Sequence, residues 1–337
     1  MRLLARHHLA GMIVAASLWI GPGTAAAACA PPPEPVVDLD IPRFYGDAQG
    51  SVIDPKQLAL HDAAVNLLKL FVQEVAANAD RALTAPTENR AREAAACALG
   101  WVEAWARGRA FLGRMAQPQA EYQRKWDLAG IALAYLKVRP FARGEQRAAI
   151  EPWLVSYADA ARAFFDDPRH KRNNHWYWLG LGMAAVGLAA DSPRHWVEAR
   201  AIMQDAARDI AADGTLALEL ARGGRAIHYH AFSTMPVVML AELGAARGED
   251  WYELNDGAVH RLVAVTRRGL ADPAVFAALA GTPQQPNPGA GAGWWVAYAR
   301  RFPERAAGAA PDMKNSHRWL GGDVHKLLPV LARAQKS

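Results

Sequence analysis

Apolar side chains recur at helical spacing along almost the whole chain. In residues 56–83, for example, Leu60, Ala64, Leu67 and Phe71 stand three or four positions apart, which is the period of one face of an α-helix. The sequence has no alternating runs rich in Val, Ile and Thr, which would indicate β-strands. We therefore predict an all-α fold with ten or more amphipathic helices.

The connections between the helical segments are short, which favours antiparallel helical hairpins. Ser192–Pro193 has the pattern of a helix start, and residues 281–293 (GTPQQPNPGAGAG) indicate a flexible loop. No fixed-period repeat indicates a solenoid. We predict one helical domain over residues 29–337, a toroid of hairpins around a cleft.

The first 28 residues have the pattern of a secretory signal peptide. Arg2 and Arg6 precede an apolar stretch at residues 9–20, and an Ala-x-Ala cleavage site ends at Ala28. The apolar stretch is too short for a membrane span, and no later stretch approaches the length that a spanning helix needs. The mature chain is therefore expected to be exported and to have no membrane span.

The charge balance excludes a strongly basic binding protein. The chain has 38 Lys and Arg against 33 Asp and Glu, and the excess falls from five to three without the first 28 residues. The basic residues are scattered, so nucleic acid is not an expected partner. A cleft lined with positive charge that attracts a polyanion remains compatible with this balance.

The two cysteines allow two interpretations. In an oxidising compartment, Cys29 and Cys97 would form one disulfide that ties the proline-rich N-terminal arm to a helix. Alternatively, Cys29 would be the lipidated residue of a lipoprotein. The three alanines before Cys29 lack the usual leucine of a lipidation site, which favours the disulfide.

Polar and titratable residues are concentrated beside aromatic residues in two segments, residues 171–178 (KRNNHWYW) and 219–230 (ELARGGRAIHYH). Each feature alone has an ordinary structural explanation. Asn173 suits a helix N-cap, Trp176 and Trp178 suit core packing, and Glu219 with Arg222 suits a weak surface ion pair.

The second segment places arginines around a tyrosine. Arg225 and Tyr229 are four residues apart and share a face of a helix, whereas Gly223–Gly224 indicate that Arg222 lies on a turn outside it. Guanidinium groups favour the phenolate and should lower the pKa of Tyr229 from about 10. A tyrosine base requires such a shift.

Other chemistries fit less well. His228 and His230 point to different sides of a helix, and no metalloprotease, nucleophile-elbow, phosphate-loop or dinucleotide motif occurs. Asp166–Asp167 could suggest a glycosidase, although a helix terminus explains the pair better. We expect no metal and no cofactor.

Five segments, taken in chain order, resemble polysaccharide lyase family five, the periplasmic alginate lyases. They are CALGWVEAWARG, RKWDLAGIALAYLK, NNHWYW, ELARGGRAIHYH and NSHRWLGGDV. The resemblance extends from about Cys29 to Val324. It implies an incomplete (α/α) toroid, a periplasmic location, an anionic polysaccharide substrate and cleavage by β-elimination without a redox cofactor.

The resemblance also implies roles for individual residues. The catalytic positions are matched by Asn174, His175, Arg222 and Tyr229, and the positions of a disulfide by Cys29 and Cys97. The residues that we expect to bind substrate have basic or aromatic side chains. They are Arg43, Tyr122, Lys171, Trp178, Arg225, His228 and Arg318.

These residue types suit β-elimination from a uronic acid. The hydrogen at C5 becomes acidic only when the neighbouring carboxylate is neutralised, which Asn174, His175 and Arg222 would do. Tyr229 would then accept the proton and donate one to the departing O4, or His175 would serve as base for the opposite C5 epimer. The amide and the imidazole at the start of a helix are thus interpreted as carboxylate ligands.

Three positions depart from the family pattern. Arg43 stands where the family has a cleft lysine, and Tyr122 and His228 replace small residues. These changes indicate a broad specificity that extends to polyglucuronate or hyaluronan. We expect a monomer. The alternatives to a lyase are a periplasmic protein that binds exopolysaccharide without cleaving it, and a glycoside hydrolase.

Overall fold

The computed structural model describes residues 29–285, 292–308, 310–311 and 313–334. The predicted signal peptide and residues 286–291 of the predicted loop lie outside the described residues. The α-helices of the described part are α1 (Pro55–Thr84), α2 (Glu88–Arg107), α3 (Pro118–Val138), α4 (Gly144–Ala163), α5 (Asn174–Ala189), α6 (Pro193–Asp209), α7 (Ala217–Leu220), α8 (Ala226–Ala246), α9 (Leu254–Ala271), α10 (Ala274–Ala280), α11 (Trp294–Arg301) and α12 (Val324–Ala334).

The long helices form two layers of hairpins. Each of α1, α3, α5 and α8 packs against the helix that follows it in its hairpin, respectively α2, α4, α6 and α9. The first members also pack against one another in the order α1, α3, α5, α8, which makes them an inner row. The prediction of an all-α fold built from helical hairpins is confirmed.

Three of the inner helices, α3, α5 and α8, are not amphipathic, and for these the prediction is wrong. In α5 every residue from Trp176 to Ala189 is buried, and α3 and α8 are buried on almost all sides. A helix that packs against neighbours on every side has no solvent face to carry polar residues. The outer helices, such as α6, keep the expected polar face.

The C-terminal segment, residues 313–323, lies across the inner row beside α1 and α3. Its strands β1 (Ser316–His317) and β2 (Gly322–Asp323) pair antiparallel, which is the little sheet that the sequence allowed. The segment lies so close to α3 that a Cβ on Gly130 would be 2.4 Å from the carbonyl oxygen of Arg318. Lys137 of α3 fixes it further by donating to the Gly321 carbonyl at 2.7 Å and to the Asp80 carboxylate at 2.6 Å.

The N-terminal arm runs along α2 before it reaches the inner row. Cys29 and Cys97 form a disulfide with their Cα atoms 5.3 Å apart, as predicted. The indoles of Trp101 and Trp105 donate to the carbonyl oxygens of Ala30 and Pro33. Because both sulfurs are in the disulfide, the lipidated form of Cys29 is not the one that the structure contains.

Beyond α2, the arm forms a small loop closed by a bridge between Tyr45 and Ile53. The Asp47 carboxylate accepts from the backbone N–H groups of Ser51 and Val52 and so holds the loop together. None of the described helices is long and apolar enough to cross a membrane.

Candidate active site

The start of α5 fixes Asn174 in one orientation. Asn173 is the N-cap, and its side chain accepts from the N–H of His175, so the N-cap interpretation is confirmed. The N–H and Nδ2 of Asn174 both donate to Glu219 Oε1, at 2.9 and 2.8 Å. The Oδ1 of Asn174 is buried without a partner in the described structure.

Glu219 does not form the surface ion pair that its spacing from Arg222 suggested. Its side chain is only 1 % exposed, and its Oε1 accepts from Asn174. Burial raises the pKa of Glu219, and the hydrogen bonds from Asn174 oppose that rise. The interpretation as a surface pair is wrong because α7 turns Glu219 inward, under the start of α5.

His175 packs against two side chains of α3. Its ring stacks on Tyr122 with centroids 3.8 Å apart, and its Nδ1 is 3.1 Å from the Nζ of Lys125. Burial lowers the pKa of His175 well below the ordinary value, and the charges of Lys125 and Arg222 lower it further. His175 is therefore a neutral imidazole at neutral pH.

Arg222 lies outside α8, as predicted. It precedes the 3₁₀ turn Gly223–Arg225, in which Gly223 has a φ of +55°. The guanidinium carbon is 3.5 Å from the centroid of the Tyr229 ring, and Nη2 donates to the carbonyl of Gly50 at 2.6 Å. The arm loop and the turn before α8 thus hold the cation against the tyrosine.

Tyr229 is 7 % exposed, and its hydroxyl is hydrogen bonded to the hydroxyl of Tyr45 from the arm loop. Burial raises the pKa of Tyr229 well above the ordinary value, and the contact with Tyr45 adds to the rise. The charges of Arg222 and Arg225 act in the opposite direction but are outweighed. The predicted lowering of this pKa is therefore wrong, because removing water from the phenolate raises the pKa more than the two guanidinium groups lower it.

The four predicted catalytic residues lie in one place. Arg222 contacts the Tyr229 ring, and its charge also acts on His175 and Tyr122. Asn174 adjoins His175 and is bonded to Glu219, three residues before Arg222. An amide, a neutral imidazole, a guanidinium and a phenol are thus held by the starts of α5 and α8.

Four of the predicted substrate-binding residues lie at or near this group, and a fifth, Arg318, lies on the C-terminal segment; one of the four is Tyr122, which stacks on His175. Arg225 has its guanidinium carbon 5.8 Å from the Tyr229 ring centroid, and His228 meets that ring edge-on at 4.9 Å. Arg43 is exposed on the arm, where its guanidinium donates to the Asp47 carbonyl and its charge acts on Tyr122. Arg318 lies over the Trp319 ring at 4.3 Å, and its charge acts on the buried Asp127.

The other two predicted binding residues differ in outcome. Trp178 is 0 % exposed and packs against Phe232 and Trp319, so it presents no face to a sugar and that prediction is wrong. The all-round burial of α5 accounts for this, because there every aromatic side chain belongs to the core. Lys171 is exposed in the loop before α5, and its role stays a prediction.

Three residues of the site were missed by the sequence-based prediction. Tyr45 lies in an irregular arm, where no periodicity indicated that it reaches Tyr229. Glu219 was interpreted as a surface residue. Lys125 stands in a polar stretch of α3, beside Arg124, so nothing in the sequence indicated that its side chain is buried against His175.

Comparison with known proteins assigns the family. The sequence profile described as Alginate lyase matches residues 43–276, which is more than half of the chain. The chain belongs to the alginate lyase family. As a member of that family it is an enzyme, a polysaccharide lyase.

Two relatives illustrate the relationship. A polysaccharide lyase of Stenotrophomonas maltophilia is 40 % identical over 307 residues, which cover 89 % of this chain and 91 % of that protein. An alginate lyase of Azotobacter vinelandii is 31 % identical over 258 residues, which cover 72 % of this chain and 68 % of that protein.

Solved structures confirm the fold of this family member. A variant of alginate lyase A1-III in complex with a tetrasaccharide superposes with a TM-score of 0.76 at 22 % identity, covering 90 % of this chain and 86 % of that one. Alginate lyase A1-III from Sphingomonas species A1 gives a TM-score of 0.73. The predicted (α/α) toroid is thereby confirmed.

Within the part of the chain that the structure describes, no three His, Cys, Asp or Glu side chains are grouped so that they could hold a metal ion.

Proposed function

We propose that the protein cleaves 4-linked polyuronates, alginate among them, by β-elimination. The observation that carries the proposal is the position of Arg222, whose guanidinium lies 3.5 Å from the Tyr229 ring. One cation is thus placed to neutralise a sugar carboxylate and to favour the phenolate of the adjacent base. The start of α5 adds the amide of Asn174 and the imidazole of His175.

The first requirement of the reaction is to stabilise charge on the uronate carboxyl group. When the C5 hydrogen leaves as a proton, its electron pair delocalises into the carboxylate and forms an enediolate. Donors held in advance stabilise that charge without reorganising, and this is the largest contribution in many enzymes. Glu219 holds Asn174, and Lys125 together with Tyr122 holds His175, so these donors are fixed before substrate arrives.

The second requirement is a base beside C5. Burial keeps the Tyr229 phenol protonated in the free protein, so its phenolate is a strong base once formed, and Arg222 is the group that favours its formation. The phenolate takes the C5 proton, the C4–C5 double bond forms and the C4–O4 bond breaks. Tyr229 then returns a proton to O4, which restores the phenolate.

This mechanism has a consequence for pH dependence. Because burial raises the pKa of Tyr229, the fraction of phenolate increases as pH rises through the neutral and alkaline range. Turnover should therefore increase with pH until another group titrates or the protein unfolds. A rate that falls steadily above neutral pH would contradict Tyr229 as the base.

The substrate range is proposed to extend beyond mannuronate to polyglucuronate and hyaluronan. Tyr122 lies against His175, and His228 lies edge-on to Tyr229, so the two bulky residues would border the reacting sugar. Arg43 brings a broad guanidinium to the same region from the arm. These side chains would bind polar groups of uronates other than mannuronate.

The test is the ultraviolet absorbance of the unsaturated product. Purified protein is mixed in turn with mannuronan, guluronan, polyglucuronate and hyaluronan, and the reducing ends are measured in parallel. Absorbance that grows with mannuronan supports lyase activity on alginate. If neither absorbance nor reducing ends increase with any of the four polymers, the protein binds without turnover. Reducing ends that increase without absorbance would indicate a hydrolase.

The role of His228 can be tested on the same panel. The change His228→Ala should alter the ranking of the four polymers more than it alters the melting temperature, because His228 borders Tyr229 and is only partly buried. The unchanged protein is the reference. An identical ranking would show that His228 does not select the substrate.

We propose that the protein acts in the periplasm as a monomer. The signal pattern at residues 1–28 directs export, and a disulfide such as Cys29–Cys97 persists in an oxidising compartment. Localisation of the full chain after cell fractionation, followed by size-exclusion chromatography, tests both points.

A further inference from the structure

Lys125 is a buried lysine whose contacts connect it to the active site. It lies on α3 with 0 % of its surface exposed. Its Nζ is 3.1 Å from His175 Nδ1 and 3.2 Å from the carbonyl oxygen of Tyr122. The same Nζ is 4.1 Å from the centroid of the Trp126 ring and 4.7 Å from that of Tyr122.

Lys125 lacks the direct carboxylate partner that a buried lysine usually has. The nearest acidic residues that act on it are Glu121 and Asp127, but both are engaged elsewhere. Glu121 pairs with Arg124, and Asp127 accepts from Gln123. Among the described residues, no carboxylate lies within ion-pairing distance of Lys125, so another contact must explain its position.

The contrast with Lys137, on the same helix, shows what a structural lysine looks like here. Lys137 is as deeply buried, but it forms an ion pair with Asp80 at 2.6 Å and donates to the carbonyl of Gly321. Its contacts fasten the C-terminal segment to α3. The contacts of Lys125 instead converge on His175.

We propose that Lys125 is a positioning residue that holds His175 as the neutral imidazole with its proton on Nε2. This inference rests on the proposed function, because it explains how His175 becomes a donor to the substrate. An ammonium group has three donors and no acceptor, so the ring nitrogen that faces it must accept. Nδ1 therefore carries the lone pair, and the single ring proton is on Nε2.

The surroundings of Lys125 favour the ammonium form in several ways. The faces of the Trp126 and Tyr122 rings attract a cation, and the Tyr122 carbonyl accepts one of its protons. Burial acts in the opposite direction and lowers the pKa of Lys125 well below its ordinary value, although the charges of Glu121 and Asp127 raise it in part. On the side of His175, Lys125 and Arg222 are the charges that oppose an imidazolium.

The consequence for catalysis is a division of labour. With Nε2–H fixed, His175 donates to the uronate carboxylate and has no free lone pair with which to accept the C5 proton. Tyr229 is then the only base of the four residues. Guluronan, in which the C5 hydrogen lies on the other side of the ring, should therefore be turned over poorly.

Nitrogen NMR of the full chain with ¹⁵N-labelled histidine tests the inference without substrate. The His175 signals are assigned by their loss in His175→Gln. In the unchanged protein we expect an Nε2 that bears a proton and an Nδ1 that accepts a hydrogen bond. A proton on Nδ1 would mean that Lys125 is a neutral amine that accepts from His175, and would overturn the proposal.

The variant Lys125→Met removes the donor and keeps an apolar side chain of similar length. We expect the ring of His175 to populate both tautomers, its pKa to rise, and kcat to fall about 10- to 100-fold, as for a lost hydrogen bond from a charged donor. An unchanged tautomer together with an unchanged pH–rate profile would also refute the proposal. Because the tautomer is read from the unchanged protein and does not depend on Lys125→Met, the test remains decisive if that variant does not fold.

The matched control is Lys137→Met. It removes a second buried lysine from α3 and leaves Asp80 unpaired, so it should lower the melting temperature. It should leave the His175 signals and the pH–rate profile as they are. If the NMR result is as expected but no polymer is cleaved, the proposed function fails while the assignment of Lys125 stands.

Discussion

Replacing Arg222 by methionine removes one charge from the site and keeps most of the side-chain volume. The guanidinium carbon lies 3.5 Å from the Tyr229 ring centroid. Two unit charges about 4 Å apart interact by about 4 kcal/mol when the effective dielectric constant is about 20. Since each 1.4 kcal/mol or so is a factor of ten in rate, Arg222→Met should lower kcat/KM by about three orders of magnitude.

The sign of the accompanying pH effect is fixed by the same contact. The charge of Arg222 lowers the pKa of Tyr229 against the larger effect of burial. Its removal should raise that pKa further, so the rising limb of the pH–rate profile should move to higher pH. Arg222→Lys keeps the charge but loses the planar contact. Its kcat/KM should therefore lie between those of Arg222→Met and the unchanged protein.

The assay is the growth of product absorbance with mannuronan over a range of pH. Arg172→Met is the matched control, because Arg172 is an exposed arginine over the Trp176 ring at 4.3 Å and has no contact with Tyr229. The kcat/KM of Arg172→Met should stay within about twofold of that of the unchanged protein, as expected for a surface change. If Arg222→Met lowers kcat/KM by less than tenfold and its pH–rate profile does not shift, the electrostatic argument is refuted.

Two further predictions concern stability. Cys97→Ser opens a disulfide with a sequence separation of 68 residues, and should cost about 4 kcal/mol in the free energy of unfolding while activity persists well below the melting temperature. Reduction that leaves the melting temperature unchanged would contradict this. Burial raises the pKa of Asp127 from 3.8 to about 6, so the stability contributed by its protonated form is present below the lower value and is lost as pH rises through about 6. Asp127→Asn should remove this pH dependence and stabilise the protein by up to about 3 kcal/mol at neutral pH, as measured by denaturant unfolding, and a more pronounced pH dependence would contradict the reasoning.

The fold was largely predictable because helical spacing is a local property of the sequence. The hairpins, the scarcity of strand and the start of α6 at Pro193 followed from periodicity and capping. The inner row did not follow. Whether a helix such as α5 is buried on one side or on all sides depends on its neighbours in space, and for the same reason Trp178 was wrongly interpreted as a substrate contact.

The four catalytic residues of the site were predictable, but three residues that support them and the electrostatics of the site were not. Asn174, His175, Arg222 and Tyr229 could be named because the two short segments that carry them resemble the alginate lyase family. The pKa of Tyr229 depends on how deeply the ring is enclosed and on Tyr45, which is 184 residues away in sequence. Sequence spacing shows which charges can be near a group but not how much water has been removed around it.

The central claim is that Tyr229 carries the proton in the elimination. The variant Tyr229→Phe keeps the ring beneath Arg222 and removes only the hydroxyl, so the melting temperature and the affinity for mannuronan, measured by calorimetry, should change little. Product absorbance at enzyme concentrations that give rapid turnover with the unchanged protein is the deciding measurement. The account predicts no detectable unsaturated product from the variant, and turnover within tenfold of the unchanged protein would contradict it.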